Sequence, residues 1–117
     1  MDKDQLREDS LCFTILVSDY CDTIKGYSVF VNQLLRSSSS IGANLHEAKY
    51  AQSRADFINK LEIALKECSE TEYWLKVLFR KKKLSEEAYK QMMCDCGSIR
   101  RRLVASVTTA KEGKRSV

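Results

Sequence analysis

The sequence predicts an all-α protein, an up-down-up-down antiparallel four-helix bundle, and three observations carry that expectation. Proline is absent and only four glycines occur, so long helices run without interruption while hairpin-rich sheets lack their usual turn residues. Four stretches repeat apolar residues at helical spacing. The junctions between them are short and polar, which places consecutive helices side by side and antiparallel.

The first helix is expected from about Asp4 to Lys25, where Leu6, Phe13, Val17, Tyr20 and Ile24 recur at three, four or seven, with Leu16 beside them. Gly26 is its expected stop. The second, from about Ser28 to Lys49, carries Phe30, Leu34, Ile41, Leu45 and Ala48 on one face, with Ser37 and Ser38 filling the step between Leu34 and Ile41. Serine is a mediocre helix former, so the run Ser37 to Ser40 needs tertiary contacts or hydroxyls bonded back to preceding carbonyls. A bend near Gly42 is expected from the same weakness.

Ser53 with Asp56 has the form of a capping box and opens a third helix that runs to about Arg80. Phe57, Leu61, Ala64, Cys68, Thr71, Leu75 and Leu78 make a heptad seam along it, and a second row, Ile58, Leu65 and Phe79, widens the apolar face. The apolar faces of the second and third helices together are wider than one bundle core needs, which points to a homo-oligomer. Ser85 with Glu86 and Glu87 supplies an N-cap and first-turn acids for the fourth helix, whose face is Ala88, Met92, Ile99, Leu103, Val107 and Ala110. Residues 1–110 form one domain in this reading, and residues 111–117 a disordered basic tail.

Composition excludes several function classes. No apolar run reaches the roughly 18 residues that span a bilayer, and the opening MDKDQLRED is too charged for a secretory signal, so no membrane association and a cytoplasmic location are expected. Five cysteines without a CxxC pair fit neither a disulfide framework nor a zinc ribbon. Cys94 and Cys96, two apart, fall on different helix faces, and Cys68 sits on the apolar seam as a small hydrophobe. Glu47, Glu67 and Glu70 raise the question of a carboxylate-bridged metal centre, but the Glu-x-x-His pairs such a centre uses are absent, so no metal is expected. His46, the single histidine, has no second catalytic group beside it, because its neighbour Glu47 points about 100° away on a helix. No phosphate-cradling glycine loop, nucleophile elbow or Ser-His-Asp set occurs. Neither an enzyme nor a cofactor is expected.

What remains is polar register and positive charge. Arg36, Ser40, Asn44, Glu47 and Glu67 are read as structural polar groups bonded between helices, with Glu47 or Glu67 meeting Arg36. The chain up to residue 75 carries 8 Lys/Arg against 12 Asp/Glu, whereas residues 76–117 carry 12 against 4. The excess gathers in Arg80, Lys81, Lys82 and Lys83, then in Arg100, Arg101 and Arg102, then in Lys111, Lys114 and Arg115. The first two clusters are the candidate nucleic-acid-binding residues, although a basic helix terminus also simply complements its dipole. Tyr73 and Trp74, next to the first cluster, suit burial better than base stacking, since Trp74 and Leu78 flank the seam four residues apart.

Arg36, Ser40, Ile41, Gly42, Ala43, Asn44, Glu47 and Ala48, read as RxxxSIGANxxEA and followed by SRADFINKLEIALKECSETEYWL, resemble the 23S rRNA-intervening-sequence protein family of small bacterial four-helix bundles. The resemblance spans the first helix to about Ala110 and is strongest from Leu34 to Leu78. It implies a left-handed up-down bundle assembled as a homopentamer around a central channel. It also implies kinship with the accessory variability proteins of diversity-generating retroelements, basic pentamers that bind nucleic acid and a partner reverse transcriptase. Two functions stay open on the sequence: a nucleic-acid-binding accessory or scaffold protein, and a protein-interaction bundle whose partner is acidic and which touches no nucleic acid.

Overall fold

A computed structural model of the chain describes residues 3–113. Four helices make up nearly all of it: α1 (Lys3–Cys21), α2 (Ser28–Ala48), α3 (Arg54–Arg80) and α4 (Glu86–Glu112). Each packs on the next in chain order and α4 returns to α1, which is the neighbour pattern of an up-down bundle. The described chain measures 52 × 22 × 19 Å, with the α1–α2 and α3–α4 turns at one end and the α2–α3 turn at the other.

The caps follow the sequence closely for α3 and α4. Ser53 accepts from the Asp56 N–H at 3.0 Å while the Asp56 carboxylate reaches back to the Gln52 N–H, a capping box displaced by one residue. Ser85 accepts from the Ala88 N–H at 3.1 Å. α1 ends earlier than expected, at Cys21, because the chain leaves it through tight turn bonds from Thr23 to Tyr20 and from Ile24 to Cys21. Gly26, at φ +81°, lies in the connecting loop instead of stopping the helix. At the other terminus α4 continues past Ala110, so Lys111, expected in the tail, is helical and its ammonium pairs with Glu62 at 3.0 Å. The remainder of the expected tail, from residue 114, lies outside the described residues.

The core joins Leu6, Phe13 and Val17 of α1, Leu34, Ile41 and Leu45 of α2, Leu61 to Leu78 of α3, and Met92, Ile99 and Leu103 of α4. Each fully buried leucine contributes about 1.5–3 kcal/mol. α2 stays helical through Gly42 without the expected break. Ser37, Ser38 and Ser39 each bond to the carbonyl three residues back, at 3.1–3.3 Å, and the first two are buried against neighbouring helices. Both conditions that a serine-rich helix requires are therefore met.

The second apolar row of α3 is half-buried within a single bundle, with Leu65 packed on the core and Phe79 stacked on Tyr89 at 4.2 Å between centroids. Exposed apolar side chains occur on every helix, among them Leu11 and Ile15, one turn apart on α1, each 54% exposed. Part of the wide α3 face is thus covered within the bundle, by the Tyr89 ring of α4 over Phe79. Among the described residues, no helix is long and apolar enough to cross a membrane.

Candidate nucleic-acid interface

The first basic cluster is built by the way α3 stops. The Lys82 N–H bonds to the Phe79 carbonyl and the Lys83 N–H to the Leu78 carbonyl, both at 2.9 Å, with Lys82 in the left-handed region at φ 62°. This is the paired-bond helix stop that ordinarily has glycine at the left-handed position. A lysine there costs about 1 kcal/mol. It also swings the chain so that Arg80, Lys81 and Lys82 stand exposed at the end of the bundle.

Across from this turn, Tyr27 precedes α2, also left-handed at φ 52°. Its ring receives the Lys81 ammonium at 4.8 Å and the Lys83 ammonium at 4.7 Å from the centroid. Lys83 additionally donates to the Lys25 carbonyl at 3.3 Å. Tyr27 stacks on Phe30 (6.1 Å, 9° between planes), Phe30 on Trp74 (5.8 Å, 24°), and Tyr73 meets Trp74 edge-on. None of Arg80, Lys81, Lys82 and Lys83 is ion-paired to a carboxylate among the described residues. Of these four cations, Lys81 and Lys83 lie over the Tyr27 ring at the outer end of the row.

The arginines of α4 behave differently. Arg100 donates to the Glu72 carboxylate at 3.1 Å and Arg102 to Asp9 at 2.8 Å, tying α4 to α3 and α1. The Asp9 carboxyl is held below its ordinary range by hydrogen bonds from Gln5 and then Arg102. Arg101, between them, is exposed and makes no ion pair among the described residues. Three successive arginines fan around the helix, so one faces solvent while its neighbours reach acids on either side. About eighteen residues of chain separate Lys83 from Arg101, most of them helical, which puts the two free basic positions roughly 25 Å apart along the bundle.

The structural polar residues lie along the α2–α3 seam. Arg36 pairs with both Glu67 and Glu70, the Glu67 contact at 3.3 Å. Glu67 also accepts from the Ser40 hydroxyl at 3.4 Å, and Asn44 donates to the Ser40 carbonyl and hydroxyl at 2.9 and 3.1 Å. Glu70 accepts from the Trp74 indole N–H at 3.1 Å, and Arg36 first, then Trp74, holds its carboxyl below the ordinary value. Glu47 joins the same two helices through Lys60 at 3.1 Å instead of meeting Arg36. His46 is exposed, its ring edge-on to Tyr50 at 5.6 Å. Among the described residues no group of three metal-ligating side chains converges.

Sequence reasoning missed Tyr27 and Phe30 as members of the basic end, and Glu70, Glu72 and Asp9 as partners of the arginines. An aromatic directly after glycine at a helix start, Gly26-Tyr27, was the available signal for the first. The pairings were not legible, because they depend on which helices become neighbours.

Fold and site together define a small four-helix bundle with an unpaired basic and aromatic end. The chain belongs to the 23S rRNA-intervening sequence protein family, whose model matches residues 13–105. It is similar to a crystal structure of a protein of unknown function from the S23 ribosomal protein family of Bacteroides thetaiotaomicron, with 41% identity and a TM-score of 0.88 over 93% of this chain and all of that one. A comparison with curated proteins finds no match.

Proposed function

We propose that this protein is a non-enzymatic nucleic-acid-binding accessory or scaffold protein that works as a homo-oligomer. The observation that carries the reading is the set Arg80, Lys81, Lys82 and Lys83, gathered at one end of the bundle with no carboxylate partner. Arg100 and Arg102, by contrast, are tied to Glu72 and Asp9 across the bundle. Cations held together without counter-charge repel one another, and a phosphate backbone relieves that repulsion while releasing its own counterions. Repetition of the cluster around a ring, with a pentamer as the assembly that the family resemblance implies, multiplies the field. Leu11 and Ile15 of α1 offer apolar surface for such contacts. A reverse transcriptase is the protein partner that the likeness to accessory variability proteins adds to this reading.

Fluorescence anisotropy with structured RNA and with duplex DNA over a salt series tests it. Binding that weakens linearly on a log–log salt plot supports the proposal. An absence of binding to both at low salt replaces it with a scaffold that recognises an acidic protein.

A further inference from the structure

At two positions at the basic end where glycine is the least strained residue, the chain places tyrosine and lysine. Tyr27 at φ 52° and Lys82 at φ 62° are the only non-glycine residues with positive φ among those described, and both belong to the same end of the bundle. Backbone strain retained against a cheap alternative marks a position whose side chain is needed. At Tyr27 that side chain is a ring, 41% exposed, at the outer end of the row Tyr27, Phe30, Trp74. The two ammonium groups within 5 Å of its centroid belong to Lys81 and Lys83, which sit on either side of the strained Lys82.

We infer that the Tyr27 ring is a stacking platform for an unpaired nucleobase and that Lys81 and Lys83 take the flanking phosphates, so this end binds single-stranded nucleic acid in preference to duplex. The inference rests on the nucleic-acid reading and names the form of the ligand. A base has the flat, polarizable face that suits the exposed end of a ring stack, and the lysines supply the charge that its backbone requires. Lysine ammonium groups sit on long flexible stems, so they leave the ring and follow the phosphates when a base arrives. Paired bases inside a duplex keep their faces covered and cannot use the platform. The Glu70 carboxylate, itself held by Arg36, fixes the Trp74 indole at the inner end of the stack, and Tyr27 is its outer end.

The test uses the full-length protein and three probes of one length: a single-stranded oligoadenylate, the same strand with abasic sugars, and a duplex. The variant Tyr27→Gly removes the ring while suiting the left-handed backbone, and Tyr27→Phe keeps the ring; thermal melts check that both fold. Wild type should prefer oligoadenylate, with a change in the fluorescence of Trp74, the single tryptophan. Tyr27→Gly should bind oligoadenylate roughly five- to a hundred-fold more weakly, with abasic binding unchanged, and Tyr27→Phe should match wild type. If Tyr27→Gly binds oligoadenylate like wild type while Lys81→Glu with Lys83→Glu does not, stacking is wrong and the phosphate reading stands. Equal weakening on all three probes also overturns it, since the ring then only positions lysines. No binding of any probe by wild type at low salt removes both readings.

Discussion

Thr71 donates its hydroxyl to Ser37 Oγ at 2.9 Å across the seam between α3 and α2, and Ser37 in turn donates to the Leu34 carbonyl at 3.3 Å. Both residues are fully buried. The relay satisfies two hydroxyls in an otherwise apolar seam, and the small serine lets the helices approach. Ser37→Ala removes the acceptor and leaves the Thr71 hydroxyl buried without its partner, a loss of about 1–3 kcal/mol. Adding Thr71→Val to it should cost less than the two single changes summed. Urea unfolding of the full cycle measures this, and strict additivity would show that the two hydroxyls act independently.

The serine run also presents a contrast of faces. Ser38 is buried whereas Ser39, the next residue, is exposed. Ser38→Leu should overpack the core at a cost of about 1–3 kcal/mol, and Ser39→Leu should change stability by less than about 0.5 kcal/mol. Thermal melts compare the two. Equal effects would mean that α2 is rotated from the orientation described.

Glu70 links this seam to the pH dependence of the fold. Its carboxyl lies below the ordinary 4.5, chiefly because Arg36 bonds to it and secondly because the Trp74 N–H does. The folded protein therefore binds fewer protons there than the unfolded chain. The resulting stability is complete above the unfolded value and is lost as pH falls through the lower folded value. Glu70→Gln should flatten the decline of stability with acid below about pH 4.5 while retaining a neutral acceptor for Trp74. Denaturation midpoints at a series of acidic pH values provide the check, and an unchanged acid limb would remove Glu70 from the account.

The fold was legible because its signals are local. Ser53 and Ser85 announce the starts of α3 and α4, and the heptad from Leu61 to Leu78 is buried as its spacing requires. One helix boundary misled: Gly26 was read as a stop by its permissive backbone, yet the turn bonds after Cys21 ended α1 first. Of the polar residues, Arg36 and Ser40 reach Glu67 across α2 and α3 and Glu47 reaches Lys60 across the same pair, while Asn44 bonds to Ser40 on its own helix. Arg100, Arg101 and Arg102 were read as one cluster, and the structure separates Arg101 from the other two. Which arginine finds an acid depends on Glu72 and Asp9, contributed by helices 28 and 93 residues away in sequence.

That separation yields the prediction most directly tied to function. Arg100→Glu sets a second acid against Glu72, which is largely covered, and should lower stability by about 1 kcal/mol. Arg101→Glu should leave the melting temperature unchanged, because the side chain is exposed and pairs with nothing. Reversing Lys81, Lys82 and Lys83 to glutamate should also spare the fold, as none of them is ion-paired, apart from a small loss where Lys81 and Lys83 lie over Tyr27. In binding the order inverts. Each phosphate contact contributes about −0.7 to the salt slope on single strands, so losing three flattens it by about 2. With roughly 25 Å between the clusters, Arg101→Glu should weaken only strands long enough to reach both. Anisotropy titrations with short and long strands over a salt series separate these cases. Short-strand binding that survives the triple reversal with its slope intact would move the interface away from the α3–α4 turn.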